Sequence, residues 1–314
     1  MTWTRSQTRI PAPAGEALDA WIYLPDGPGP HPTVVMAHGI GGIKAAGLAP
    51  FAERFADDGY LAVVFDYRHW GESSGQPREM LSVTRQREDY RTVLSWVRSH
   101  PAADPDRVFA WGTSFAGMHI VELAAGEDGL AGAIAQVPLV DGPAALTRVN
   151  PIRGLRLALA GIVDLLGAKL GRAPRYVPIS VAPGDFGLIA TEDAMRGYQR
   201  LHPDEGEWPN HITARSLLDF TVRRPIRRAR QARCPLLMVV ADHDTMAPTR
   251  PALAVATRAP NGELYRSRGG HYDVYAGGLD HENTLQVELD FLRRHSRLPQ
   301  PAVTSTPSPR SDSR

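Results

Sequence analysis

Residues 108–117 read Val108-Phe109-Ala110-Trp111-Gly112-Thr113-Ser114-Phe115-Ala116-Gly117. The apolar run Val108 to Trp111 has strand character, and Ile120, Val121, Leu123 and Ala124 continue beyond Gly117 as a helix. Ser114 therefore stands on a sharp turn between a strand and a helix, the setting that presents a serine hydroxyl as a nucleophile. Small residues at Gly112 and Ala116 let the helix cross close to the strand while the serine takes a strained conformation. A second segment, Gly71-Glu72-Ser73-Ser74-Gly75, fits the Gly-x-Ser-x-Gly pattern more literally. It follows the polar Arg68-His69-Trp70 and precedes Gln76-Pro77, so neither a strand nor a helix frames it. Context selects Ser114. Ser73 reads as a hydrogen-bonding loop residue, and the plain alternative for Ser114 is a helix-capping serine.

Working outward, Pro32–His38, Tyr60–Tyr67, Arg107–Trp111, Gly132–Val140 and Pro235–Ala241 are near-continuous apolar runs. That character suits strands covered on both faces. Helical patterns lie between them, with Leu48, Phe51 and Phe55 in one and Tyr90, Val93, Leu94 and Val97 in another. Alternation of strand and helix predicts an α/β fold with a mostly parallel central sheet flanked by helices. Ala17–Leu24 leading into Pro32 reads as an antiparallel hairpin at one edge.

The rhythm breaks between residues 141 and 224 and resumes at Cys234. The expected organisation is a core of residues 1–140 and 225–298, a helical cap inserted at 141–224, and a disordered tail at 299–314 rich in Pro, Ser, Thr and Arg. Within the cap, Leu155, Leu157, Leu159, Ile162, Val163, Leu165, Leu166 and Leu170 cover nearly the whole circumference of one helix. A helix apolar all round is expected to be buried or to line a cavity, here one for the apolar part of a substrate.

A serine hydroxyl needs a positioned base, and the imidazole of that base needs a carboxylate to hold its tautomer. Of 11 histidines, His271 sits in Arg268-Gly269-Gly270-His271-Tyr272, after the strand candidate Glu263-Leu264-Tyr265 and before the final helix. Two glycines free that loop to carry the ring toward a neighbouring strand end. His119 lies inside the helix after Ser114, His281 reads as a first-turn surface residue, and His38 as a residue shaping the loop behind it. The strand ending at Ala241 runs into Asp242-His243-Asp244. Asp244, out on the loop, is favoured as the acid over Asp242, with Asp141 third. The chain order Ser114, Asp244, His271 fits this type of sheet.

Negative charge developing on the substrate needs N–H donors. One is the backbone of Phe115. The other is the backbone of Ile40 in His38-Gly39-Ile40-Gly41-Gly42, where the glycines let the chain turn inward. Gly39-x-Gly41 after a strand also opens like a dinucleotide fingerprint, but Lys44 occupies the place of its last glycine.

Taken together, His38–Gly42, Asp66-Tyr67-Arg68 with Gly71 and Ser73, the turn at Ser114, the Asp244 loop and Gly270-His271 resemble the α/β-hydrolase superfamily over most of residues 16 to 298. The resemblance points to bacterial esterase-like branches near dienelactone hydrolases and the related serine acyl-peptidases and esterases. Dienelactone hydrolases carry cysteine at the nucleophile, and serine here moves the expectation toward esters. The resemblance implies a structural part for the segment from Asp66 to Ser73, shaping the loops around the serine.

The chain has 314 residues, with 35 Lys and Arg against 34 Asp and Glu, so nothing in its charge invites nucleic acid. Cys234 is the only cysteine and excludes an internal disulfide. The N-terminus lacks a signal-peptide core, and Leu155–Leu170 is interrupted by Arg156, Asp164 and Lys169, which argues against a membrane span. The expectation is a cytoplasmic serine hydrolase without cofactor, compatible with a homo-oligomer, acting on a small-molecule carboxylic ester through an acyl-enzyme. Acyl transfer, or cleavage of a carbon–carbon or amide bond, by the same triad is the alternative. Metal-dependent hydrolysis through Asp242, His243, Asp244, His271 and His281 lacks a paired-ligand spacing, and a non-catalytic receptor would be expected to have lost a triad member.

Overall fold

A computed structural model describes residues 3–203 and 208–296; the proposed tail at 299–314 lies outside the described residues. The strands and helices are, in chain order, β1 (Trp3–Pro11), β2 (Ala17–Pro25), β3 (His31–Ala37), α1 (Ala49–Asp57), β4 (Leu61–Phe65), α2 (Val83–Arg98), β5 (Ala103–Thr113), α3 (Gly117–Gly126) and β6 (Leu130–Gln136). The intervening stretch holds α4 (Gly142–Leu146), α5 (Pro151–Lys169), β7 (Tyr176–Pro178), β8 (Ser180–Val181), β9 (Ile189–Ala190), α6 (Glu192–Leu201), β10 (His211–Thr213) and α7 (Leu217–Phe220). Then follow β11 (Leu236–Ala241), α8 (Thr249–Arg258), β12 (Gly262–Ser267) and α9 (His281–His295).

Eight strands form one sheet in the order β1-β2-β4-β3-β5-β6-β11-β12. From β4 to β12 every neighbouring pair is parallel. Strand β3 shows why. Val34 and Met36 face one core while Val35 and Ala37 face the other, all fully buried. Such a strand needs cover on both sides. Helices α1 and α9 supply it on one face, and α2, α3 and α8 on the other.

The hairpin differs from the expectation. Strand β2 pairs antiparallel with β1, not with β3, and its other side lies antiparallel against β4. The polar run Thr4 to Thr8 suits the exposed edge strand, whereas β3 is too apolar on both faces to sit at an edge.

Residues 141–224 carry helices but also four short strands, β7 paired with β10 and β8 with β9. Asn150 caps α5 by accepting from the N–H groups of Ile152 and Arg153, with Pro151 opening the helix. The inner side of α5 is narrow: Leu157, Gly161 and Asp164 are buried. Asp164 accepts from the Arg215 Nε at 2.7 Å and Nη2 at 2.9 Å and from the N–H of Arg175 at 2.7 Å, locking the helix onto the segment before α7. The rest of its apolar surface faces solvent. Leu155 is 62% exposed, Leu159 52% and Leu166 54%, against 5% for Leu157. The expectation that the apolar circumference of this helix is buried or lines a cavity therefore fails for most of its leucines. Its inner face is claimed by small and polar residues, which leaves most of its leucines on the outside.

One buried carboxyl links the fold to pH. Glu288 of α9 is fully buried and accepts a hydrogen bond from the Trp111 indole of β5 at 2.9 Å. Burial pushes its carboxyl up from 4.5 to about 8, against a smaller lowering by the Trp111 bond. A raised value in the folded state means that the folded chain holds a proton that the unfolded chain releases. This contribution is complete below about 4.5 and is lost as pH climbs through about 8. Glu288→Gln keeps an acceptor for Trp111 and cannot ionise. Urea unfolding across that window should show the parent losing stability relative to the variant, by up to roughly 1.4 kcal/mol per pH unit. Parallel pH curves for the two proteins would contradict the assignment.

Candidate active site

The turn after β5 is built by close approach. A side chain at Gly112 would come within 2.9 Å of the Ala116 Cβ and 2.8 Å of Ile120. The helix can cross the strand there only over a glycine. Ser114 itself has φ +56°, a left-handed conformation that a residue with a side chain adopts at a strain of order 1–3 kcal/mol. Beneath it, the Thr113 hydroxyl is held by the Tyr275 hydroxyl at 2.5 Å and by the Gln136 amide at 3.1 Å.

Three loops at the carboxyl ends of the strands meet over this turn. The His243 N–H donates to the Gly269 carbonyl at 2.9 Å, tying the loop after β11 to the loop after β12. The result brings Asp244 and His271 to Ser114. The His271 Nε2 lies 3.0 Å from the Ser114 Oγ, and its Nδ1 lies 2.7 Å from the Asp244 Oδ2. The other Asp244 oxygen accepts from the N–H groups of Met246 at 2.8 Å and Ala247 at 2.7 Å. Those bonds orient the carboxylate and leave one oxygen for the imidazole. His271 and Asp244 are both buried.

The loop after β3 forms the opposite wall. A side chain at Gly39 would come within 2.8 Å of the Ser114 Cβ, so only glycine lets this backbone pass against the serine. Ile40 and Phe115 border the same cleft as Ser114 and His271. The loop is anchored from behind by Lys44, whose backbone N–H donates to Asp66 at 2.6 Å and whose ammonium contacts Asp19, Asp66 and Glu72. Lys44, which breaks the dinucleotide pattern, thus serves to hold the loop in place.

The other candidates lie elsewhere. Ser73 is buried, donating to the Asp66 carbonyl at 2.6 Å and accepting from the Asp19 N–H at 2.8 Å. Asp242 is turned out to Arg266, and Asp141 caps α4 and pairs with Arg224. His119 bonds to Gln86 at 2.9 Å, and burial lowers its ring to about 3. The His38 Nδ1 contacts the Gly39 carbonyl at 3.0 Å. His281 departs from the surface position expected of it: it is buried, with Nδ1 2.9 Å from the Val274 carbonyl. Among the described residues, no three His, Cys, Asp or Glu side chains converge as a metal site would require.

The cleft divides at Ser114 into two lobes that share Ile40, Ser114, Ile189, Met246 and His271. One is rich in aromatic rings: Tyr198, Trp208, Tyr272 and Tyr275. The other is lined by Leu139, Val149, Leu188 and Phe220, with Arg148 and Arg153. The segment between residues 141 and 224 thus contributes walls to both, through Ile189, Trp208 and Phe220 rather than through Leu159 or Ile162. Sequence reasoning misses these lining residues. Tyr272, directly after His271, is the one with a positional signal, whereas Arg148 and Arg153 are hidden in an arginine-rich chain.

Known proteins resemble the chain along its length. It is 38% identical over 275 residues to the quorum-quenching protein AidA of Acinetobacter baumannii (strain MDR-ZJ06), covering 88% of this chain and 90% of that one. It is 28% identical over 303 residues to the polyketide transferase grgF of a Penicillium species, covering 94% and 98%. The crystal structure of the α/β hydrolase GrgF from Penicillium sp. sh18 superposes with a TM-score of 0.80 at 26% identity, covering 93% of this chain and 99% of that one. The sheet order, the flanking helices and these relatives make the chain an enzyme of the α/β-hydrolase type. The profile of the X-Pro dipeptidyl-peptidase (S15) family spans residues 14–273, and the chain belongs to that family, within the α/β-hydrolase superfamily.

Proposed function

We propose that the protein is a serine hydrolase that cleaves a carboxylic ester through an acyl-enzyme. The observation that carries this reading is the continuous hydrogen-bonded line from the Ser114 Oγ through His271 to Asp244. Ser114 attacks the carbonyl carbon as His271 Nε2 takes the hydroxyl proton, and Asp244 holds the imidazole and favours its charged form. The N–H groups of Ile40 and Phe115 receive the oxyanion. The imidazolium then protonates the leaving alkoxide. Water repeats the sequence in reverse and frees the acid. Residues 141–224 act as a cap whose apolar walls take the hydrocarbon part of the substrate.

Acyl transfer is the second reading, and the two lobes favour it alongside the relative named a polyketide transferase. One lobe would hold the acyl group while an acceptor hydroxyl or thiol in the other replaces water. Rapid mixing with p-nitrophenyl butyrate tests both readings. A burst of p-nitrophenol equal to the enzyme concentration supports the acyl-enzyme, and steady-state release without a new butyryl product supports hydrolysis. Faster release with a butyryl ester or thioester formed from added alcohol or thiol supports transfer. Turnover with neither a burst nor a butyryl group found on Ser114 in the quenched enzyme contradicts both.

A further inference from the structure

The geometry points to an anion-binding site in the lobe between Phe115 and the turn joining α4 to α5, where Arg148 and Arg153 receive a carboxylate of the substrate. This rests on the ester-hydrolase reading and narrows its substrate to esters that carry a negative charge away from the scissile bond.

Three observations carry it. Arg153 lines the lobe, its Nε is sealed from solvent, and that N–H has no hydrogen-bond partner among the described residues. Among the nine buried side-chain polar atoms without a partner in the described residues, it is the one on a side chain that lines this lobe. Next, among the described residues no Asp or Glu side chain lines the lobe, which is otherwise walled by Leu139, Val149, Leu188 and Phe220. Arg148, which is exposed, and Arg153, which is half-buried, thus border a largely apolar space with no carboxylate among its described lining residues, and a charged hydrogen bond to an anion seated there is strong. Finally, Arg148 is already oriented: its Nη1 donates to the Asp244 carbonyl at 2.7 Å, which fixes it beside the loop that holds His271. An anion seated here would meet Arg153 turned to offer Nε and an Nη side by side, a fork that fits two carboxylate oxygens.

Two matched ester pairs test the site by kcat/KM. The acyl pair is p-nitrophenyl hexanoate and mono-p-nitrophenyl adipate; the alcohol pair is 4-acetamidophenyl hexanoate and 4-(carboxymethyl)phenyl hexanoate. In one of the pairs the anionic member should be favoured, and Arg153→Gln should lower its ratio to the neutral member by about 10- to 100-fold, through KM more than kcat. Arg153→Lys should restore part of the ratio. A neutral preference in both pairs, or a ratio unmoved by Arg153→Gln, overturns the proposal. A binding measurement separates this from failure of the ester reading. Hexanoate should raise Tm and neutral hexanamide should not, with the difference lost in Arg153→Gln. If no ester turns over but that difference persists, the anion site stands and the ester reading falls. If hexanoate and hexanamide act alike, the anion site falls.

Discussion

Ser114→Ala should lower kcat on any p-nitrophenyl ester by about 10⁶-fold, to the rate that binding and the oxyanion donors alone sustain. The size follows from what the side chain does. Without the hydroxyl there is no nucleophile and no acyl-enzyme, and His271 has no proton to move. The fold should survive, because alanine is small enough for the crossing over Gly112 and relieves nothing that holds the strand. Ser73→Ala makes the contrast. It removes two buried hydrogen bonds, to the Asp66 carbonyl and from the Asp19 N–H, and should cost about 1–3 kcal/mol of stability while the folded enzyme still turns over. If Ser73→Ala loses activity while fully folded, or Ser114→Ala retains it, the nucleophile has been misassigned. Progress curves together with urea unfolding decide between these.

Asp244→Asn is the second large effect, roughly a 10⁴-fold loss in kcat. An asparagine amide at the same place can present an N–H to the His271 Nδ1, which would flip the imidazole into the tautomer whose Nε2 carries a hydrogen and cannot accept one from Ser114. The two backbone bonds from Met246 and Ala247 fix one carboxylate oxygen, so the group that faces His271 has little freedom to compensate. Asp242→Asn, on the exposed side of the same loop and paired with Arg266, should change kcat by less than about threefold, as expected of an exposed ion pair. The reverse order of these losses would move the acid to Asp242.

The core of the fold is legible because buried parallel strands leave a strong mark: Val34, Val35, Met36 and Ala37 have no polar residue to hide. The turn at Ser114 is legible for the same reason, since a strand, a small residue and a helix occur in immediate succession. Asp244 and His271 follow from their places just beyond strand ends, on loops with the glycine freedom to converge. Strand β1 leaves no such mark. Its alternation of Thr, Arg, Ser and Gln matches any exposed segment, and only pairing with β2 makes it a strand. The error over α5 is more instructive. A leucine-rich helix suggests burial, but burial depends on which face the rest of the chain can reach, and Gly161 and Asp164 rather than the leucines make the contact. His281 misleads in the opposite direction, because a polar first-turn residue is drawn inside by the Val274 carbonyl. Apart from Tyr272 beside His271, the cleft walls that sequence reasoning misses are contributed by residues far apart in sequence and carry no local signal.

Fluorophosphonate labelling read by intact mass and peptide mapping bears most directly on the assignment of Ser114 as nucleophile. The account predicts one probe per chain, attached at the peptide containing Ser114, absent from Ser114→Ala and strongly slowed in His271→Ala. A probe attached at another residue, or labelling of folded Ser114→Ala at the parent rate, would contradict it.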